Sequence, residues 1–145
     1  MNIGGLTHYQ AQIEERLVAE CEALTRSLED AQAARARLEA EEERHVQAYL
    51  HQSRIGMLPS EAGHLATSLD ALASLIAKTK DRERVLRDDL ERKRAEALEA
   101  SRERRKFERL EGRQQAARRR VEEQRAQRLT DEAAARGAQR ERDVP

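Results

Sequence analysis

The residues with the widest chemical repertoire in this chain are four histidines and one cysteine. His45 and His51 stand six apart, His8 and His64 lie further off, and no third ligand accompanies any pair. That is not the spacing of a zinc site. Glu41, Glu42 and Glu43 form an acidic run. Oxygen cages for cations gather their ligands on a loop, and this run sits in helical sequence, so it reads as a solvated face. Cys21 falls on a heptad stripe and reads as a small core residue. A single cysteine also excludes a disulfide framework. The chain has no Gly-rich phosphate loop, and no Ser/His/Asp or Cys/His set that could be built on rods without a pocket. No catalytic residue, cofactor or metal is expected, and the chain reads as something other than an enzyme.

The strongest chemical signal is basic. Residues 100–128 carry 11 basic and 5 acidic side chains, including Arg118-Arg119-Arg120. Phosphate binding is one use for such a stretch. Phe107 is its single aromatic, so a base-stacking platform is missing. The strong heptads lie N-terminal to it, the reverse of a basic-region zipper. The net charge of the whole chain is zero. An acidic protein partner therefore fits better than nucleic acid. The bland alternative, pairing with acidic residues of the same chain, accounts for part of the surplus.

These side chains must be carried by helices. Ala, Glu, Lys, Leu and Arg make up 89 of the 145 residues. Such an excess of helix formers marks long helices or coiled coils. The chain has only 28 Leu, Ile, Val, Met and Phe residues, too few for a compact globular core. High charge with few large apolar residues is also the signature of disorder, but the zero net charge and the regular apolar spacing argue against it. The one strong turn signal is Gly56-Met57-Leu58-Pro59, closed by Gly63. The first helix is expected over about 7–54, with Thr7 and Gln10 as a capping box, the turn over about 55–63, the second helix over about 64–136, and a frayed tail over 137–145.

The apolar stripe of the first helix runs Ile13, Leu17, Cys21, Leu24, Leu28, Ala31, Ala34 or Arg35, and Leu38. That of the second runs Leu65, Leu69, Leu72, Ile76, Thr79, Glu83, Leu86, Leu90, Lys93, Ala97, Ala100, Arg104 and Phe107. Every step in the second stripe is three or four, the heptad alternation. Residues 1–77 hold 6 basic and 12 acidic side chains, whereas 78–145 hold 22 and 16. Opposite net charges and one turn predict an all-α, antiparallel two-helix coiled-coil hairpin, a single domain over 1–145. The C-terminal helix should overhang its shorter partner. It must then rely on propensity and on i,i+4 pairs such as Glu132–Arg136, with Asp88–Arg92 and Asp89–Lys93 further up.

The first nine residues show no targeting pattern, and no apolar run exceeds three, whereas a membrane span needs about 20. A cytoplasmic protein without direct membrane insertion is the simplest expectation. Near the turn, Tyr49, Leu50, Ile55, Met57, Leu58, Leu65 and Leu69 concentrate apolar surface. Two readings stand level: a docking tip for a partner, or a local core that seals the hairpin.

In layout and in local sequence the chain resembles the FliJ family of flagellar type III export proteins. Its injectisome relatives are the YscO-like stalk proteins. The resemblance rests on Arg105-Lys106-Phe107-Glu108-Arg109-Leu110-Glu111, Arg118-Arg119-Arg120, Glu122-Glu123-Gln124-Arg125 and the closing Asp131-Glu132-Ala133-Ala134-Ala135-Arg136. It covers nearly the whole chain in layout and about 30 residues in motif. Many members carry Trp or Phe where this chain has Leu65, Leu69 and Leu72. The resemblance implies a central stalk for the hexameric export ATPase, entering the ring at the end that bears the termini. It also implies promotion of ring assembly and turnover, contact of the hairpin end with the export-gate membrane protein, and binding of export chaperones. Localisation would be cytoplasmic, peripheral to the inner-membrane export apparatus. Carried over residue by residue, Arg105, Lys106, Arg109, Arg118, Arg119, Arg120, Asp131, Glu132 and Arg136 are expected to face the ring, and Leu65, Leu69, Leu72 and Ile76 the gate. An injectisome stalk is the alternative within the family. A dimeric coiled-coil scaffold is the alternative outside it.

Overall fold

A computed structural model of the chain describes residues 2–144. Two helices account for nearly all of them: α1 (Ile3–Ile55) and α2 (Pro59–Arg142), with no strand among the described residues. The fold is all-α, a pair of helices packed together. The chain divides into two compact units, Glu14–Glu99 and a second built from residues 2–13 and 100–144.

In the Glu14–Glu99 unit, the helices run antiparallel around a connection of three residues, 56–58. Gly56 adopts φ +110°, a backbone conformation that a side chain would strain. Its N–H donates to the Gln52 carbonyl at 3.0 Å and closes α1. Pro59 is the first residue of α2, where its fixed φ suits the helix and its missing N–H costs nothing. The Leu58 carbonyl accepts the first α2 bond, from Ala62 N–H at 3.1 Å. Glu61 supplies negative charge to the first turn. The turn is thus shorter than the predicted 55–63, because Pro59 opens the helix and Gly63 lies within it.

The seam follows the stripes. Leu17, Ala31, Leu72, Ile76, Leu86 and Leu90 are buried, and Cys21, Leu24, Leu28, Leu38, Leu65 and Leu69 are half-buried. At the ambiguous step in α1, Arg35 turns inward and Ala34 faces solvent. The reason is Glu83, whose side chain is only 4% exposed. Arg35 Nε donates to Glu83 Oε1 at 2.7 Å and Arg35 Nη1 lies 3.2 Å from Glu39. Arg87 approaches the other Glu83 oxygen at 3.7 Å. A second cross-helix pair joins Lys93 Nζ to Glu20 Oε2 at 2.9 Å, so Lys93 turns toward α1 rather than to Asp89.

In the second unit, α1 starts at Ile3, before the predicted Thr7. Asn2 is the cap: its Oδ1 accepts from Gly4 N–H at 3.1 Å, and its carbonyl from Leu6 N–H at 3.3 Å. Thr7 lies inside the helix, with its hydroxyl donating to the Ile3 carbonyl at 3.1 Å. Two early glycines cost about 1 kcal/mol each against alanine. The cap and packing against α2 offset them. Ile3, Leu6, Gln10 and Ile13 are half-buried, Ala100 is buried and Phe107 is half-buried. A methyl on Gly4 would stand 3.4 Å from the Glu111 carboxylate, which places these two segments side by side. From residue 112 to 144, every residue of this unit is exposed. The helix continues regardless to Arg142, past the predicted start of the tail at 137. Gln139, Arg140, Glu141 and Arg142 are good helix formers, and Asp143 N–H still bonds to the Gln139 carbonyl at 3.1 Å. Pro145 lies outside the described residues.

Candidate partner-binding surfaces

The C-terminal segment of α2 carries the first surface. Arg105, Lys106 and Arg109 are exposed on it. Their positions are fixed by contacts along the helix: Lys106 Nζ lies 3.1 Å from Glu103, and Arg109 Nε donates to the Arg105 carbonyl at 3.4 Å. Arg104 pairs with Glu108 at 2.6 Å. Further along, Arg118, Arg119 and Arg120 are exposed. Successive helical residues project about 100° apart. Three consecutive arginines therefore cover more than half the circumference, and the charge addresses no single face. Asp131 accepts from Gln127 at 3.0 Å, and Glu132 lies 3.9 Å from Arg136. The predicted ring-facing residues thus share the C-terminal part of α2: Arg105, Lys106 and Arg109 project from its exposed side where Phe107 is half-buried, and the others lie beyond residue 111, where every described side chain is exposed.

The second surface is at the turn of the Glu14–Glu99 unit. Here the apolar residues divide. Leu72 and Ile76 are 8% and 7% exposed, and Leu65 and Leu69 are half-buried. All four lie on the α2 stripe that also carries Glu83, which bonds to α1, so they form the seam. Tyr49 and Met57 are half-buried beside them in sequence. Leu50, Ile55 and Leu58 remain 43%, 74% and 63% exposed. At this end, then, one subset of the apolar residues seals the hairpin and another remains exposed. Leu75 and Val85, off the stripe, are also about half exposed at 47% and 54%. Sequence reasoning passed over them because single off-stripe apolar residues carry no periodic signal.

No group of three or more His, Cys, Asp or Glu could hold a metal ion among the described residues. Cys21 is half-buried and lines a shallow groove with Val18, Thr25, Arg94 and Ala97. Among the described residues, no helix is long and apolar enough to cross a membrane.

Comparison with known proteins adds a family. No curated protein and no solved structure matches the chain. The family model described as "Flagellar FliJ protein" matches residues 6–143, which takes in all of α2 and all but the first three residues of α1. With a match over nearly its entire length, the chain belongs to the flagellar FliJ protein family.

Proposed function

We propose that this flagellar type III export component works as the stalk of the export ATPase, with the C-terminal segment of α2 held inside the hexameric ring. The family is a structural part of the export machinery and not a known enzyme. The observation that carries the stalk reading is the exposure of every residue from 112 to 144 on a helix whose arginines point in all directions. A partner that meets such a helix on one side leaves most of its charge unused. A ring that encloses it engages all of it, and orders a segment that has no apolar partner of its own.

In this reading Arg105, Lys106, Arg109, Arg118, Arg119, Arg120, Asp131, Glu132 and Arg136 meet the ring. The exposed Leu50, Ile55 and Leu58 meet the export-gate protein, while Leu65, Leu69, Leu72 and Ile76 hold the seam beneath them. Export chaperones are further partners, and the protein is peripheral to the inner-membrane apparatus. An injectisome stalk would share this geometry, but the matching family is the flagellar one.

The test is ATP hydrolysis by the organism's export ATPase with and without the protein, alongside co-elution on a sizing column. Stimulated turnover and co-elution are expected. Arg118→Glu, Arg119→Glu and Arg120→Glu together should weaken ring binding at least about tenfold, since several charge contacts of up to ~1 kcal/mol each are reversed. Helix content should stay unchanged. Neither stimulation nor co-elution, with both proteins folded, would leave a coiled-coil scaffold as the better account.

A further inference from the structure

The exposed segment of α2 has a property that enclosure by a ring does not require: its sequence is complementary to itself when reversed. Taking Arg125 as the centre, residues equally far on either side can be compared. Arg118 is matched by Glu132, Arg119 by Asp131, Val121 by Leu129, and Glu122 by Arg128. Across residues 112–138, Arg125 opposite itself is the single like-charge match.

The matched residues also share a face. At about 100° per residue, Arg118, Val121, Glu122, Arg128, Leu129 and Glu132 fall within an arc of about 120° centred on Arg125. Within that arc, Arg118 and Glu132 lie near the middle. Val121 and Leu129 lie to either side of it, and Glu122 and Arg128 at its edges. Two copies laid antiparallel with these arcs face to face, about a two-fold axis that runs between them at the level of Arg125, bring Arg118 level with the other copy's Glu132 and Val121 level with its Leu129, each pair near the centre of the seam. Glu122 and Arg128, about 60° out on opposite flanks, frame the seam without meeting each other. Nothing among the described residues occupies this face: Val121 is 46% exposed and Leu129 66%. Glu132 has only the long 3.9 Å contact to the exposed Arg136, and Arg118, Glu122 and Arg128 form no ion pair among the described residues.

We propose that this segment pairs antiparallel with the same segment of a second copy of the chain, about a two-fold axis at Arg125. Each copy contributes both members of a match, so the Arg118–Glu132 ion pair and the Val121–Leu129 contact each occur twice. The apolar content is small and the charges are exposed, so the association is weak and falls with salt. Pairing covers Arg118 and Glu132, two residues assigned above to the ring, so self-association and ring insertion exclude one another. The pairing itself does not depend on that assignment.

The experiment uses the full chain with Cys21→Ala. Val121→Cys and Leu129→Cys are introduced into separate chains, which are mixed and oxidised. Antiparallel pairing predicts a disulfide between the Val121→Cys chain and the Leu129→Cys chain, in preference to either self-cross-link. Self-cross-links alone mean a parallel arrangement and overturn the proposal, as does the absence of any cross-link at concentrations where sedimentation detects dimer. Absence of dimer by sedimentation at low salt overturns it as well. In sedimentation, Arg118→Glu should weaken association about tenfold, because two attractive contacts become repulsive, and Glu132→Arg in the same chain should restore it. Arg125→Leu, which removes the like-charge match on the axis, should tighten association. Helicity by circular dichroism checks that each variant folds, and a folded Arg118→Glu that dimerises like the parent overturns the assignment of the axis.

Discussion

Position 83 of this chain places a carboxylate in a heptad seam where the repeat ordinarily takes an apolar side chain. A buried charge survives when a partner reaches it, and Arg35 does so from the other helix at 2.7 Å. Its role is read best through a swap. Arg35→Glu sets three carboxylates together, at 35, 39 and 83, and should lower the thermal midpoint of the hairpin clearly. Adding Glu83→Arg should recover part of the loss, giving a favourable coupling in a double-mutant cycle. Strictly additive losses would mean that the two groups do not act as a pair. The second cross-helix pair makes a pH prediction. The Glu20 carboxyl is held below its usual range chiefly by hydrogen bonding with Lys93, against an opposing effect of desolvation. Lys93 is held above its usual range chiefly by hydrogen bonding with Glu20. A lowered carboxyl contributes stability above its unfolded pKa and loses it as pH falls through the folded value. A raised amine contributes below its unfolded pKa and loses it as pH rises through the folded value. Thermal midpoints should therefore sag below about pH 4 and above about pH 10.5. In Glu20→Gln/Lys93→Gln both sags should be shallower, and profiles identical to the parent would remove this pair as their source.

Helix ends obey chemistry that local sequence displays only in part. Gly56 and Pro59 both mark the connection, yet Pro59 opens α2 instead of extending the turn, and Gly63 is an ordinary helical residue. The two glycines should respond oppositely to alanine. Gly63→Ala meets open space and should stabilise by about 0.5–1 kcal/mol. Gly56→Ala, at φ +110°, should destabilise by about 1–2 kcal/mol. Urea denaturation of the two variants decides this, and equal effects would mean that the turn relaxes. The same competition explains the start of α1. Thr7 and Gln10 carry a capping pattern, but Asn2 is the stronger cap, and a helix once capped at Asn2 absorbs Thr7. The stripes were fully legible, because each position from Leu65 to Phe107 on the three–four spacing is at least half-buried. What spacing could not decide was which residue turns inward at 34 or 35. That choice depends on Glu83, 48 residues away.

For the molecule as a whole, the all-α pairing and the basic C-terminal segment were readable from composition, charge and period. The division of the apolar residues near the turn was not. Tyr49, Leu50, Ile55, Met57 and Leu58 are alike in hydropathy, and only packing separates Tyr49 and Met57 from the exposed three. Nor does hydropathy set where α2 ends, since residues 137–142 hold no large apolar side chain and are helical all the same. The solitary course of α2 beyond residue 111 has a thermodynamic consequence for whatever binds it. A helix without a packing partner is in equilibrium with its unwound forms, and a ligand that takes only the helix must first draw from that population. Affinity is then partly a property of the free protein. Gly137 lies in this segment with open space around it. Gly137→Ala, which adds no contact of any size, should raise the free segment's helicity and tighten partner binding by up to about fivefold. Circular dichroism and a binding titration on the same sample read both quantities, and helicity that rises with affinity unmoved would show a partner indifferent to preorganisation. Evolution could thus set the strength of this interaction from positions that the partner never touches.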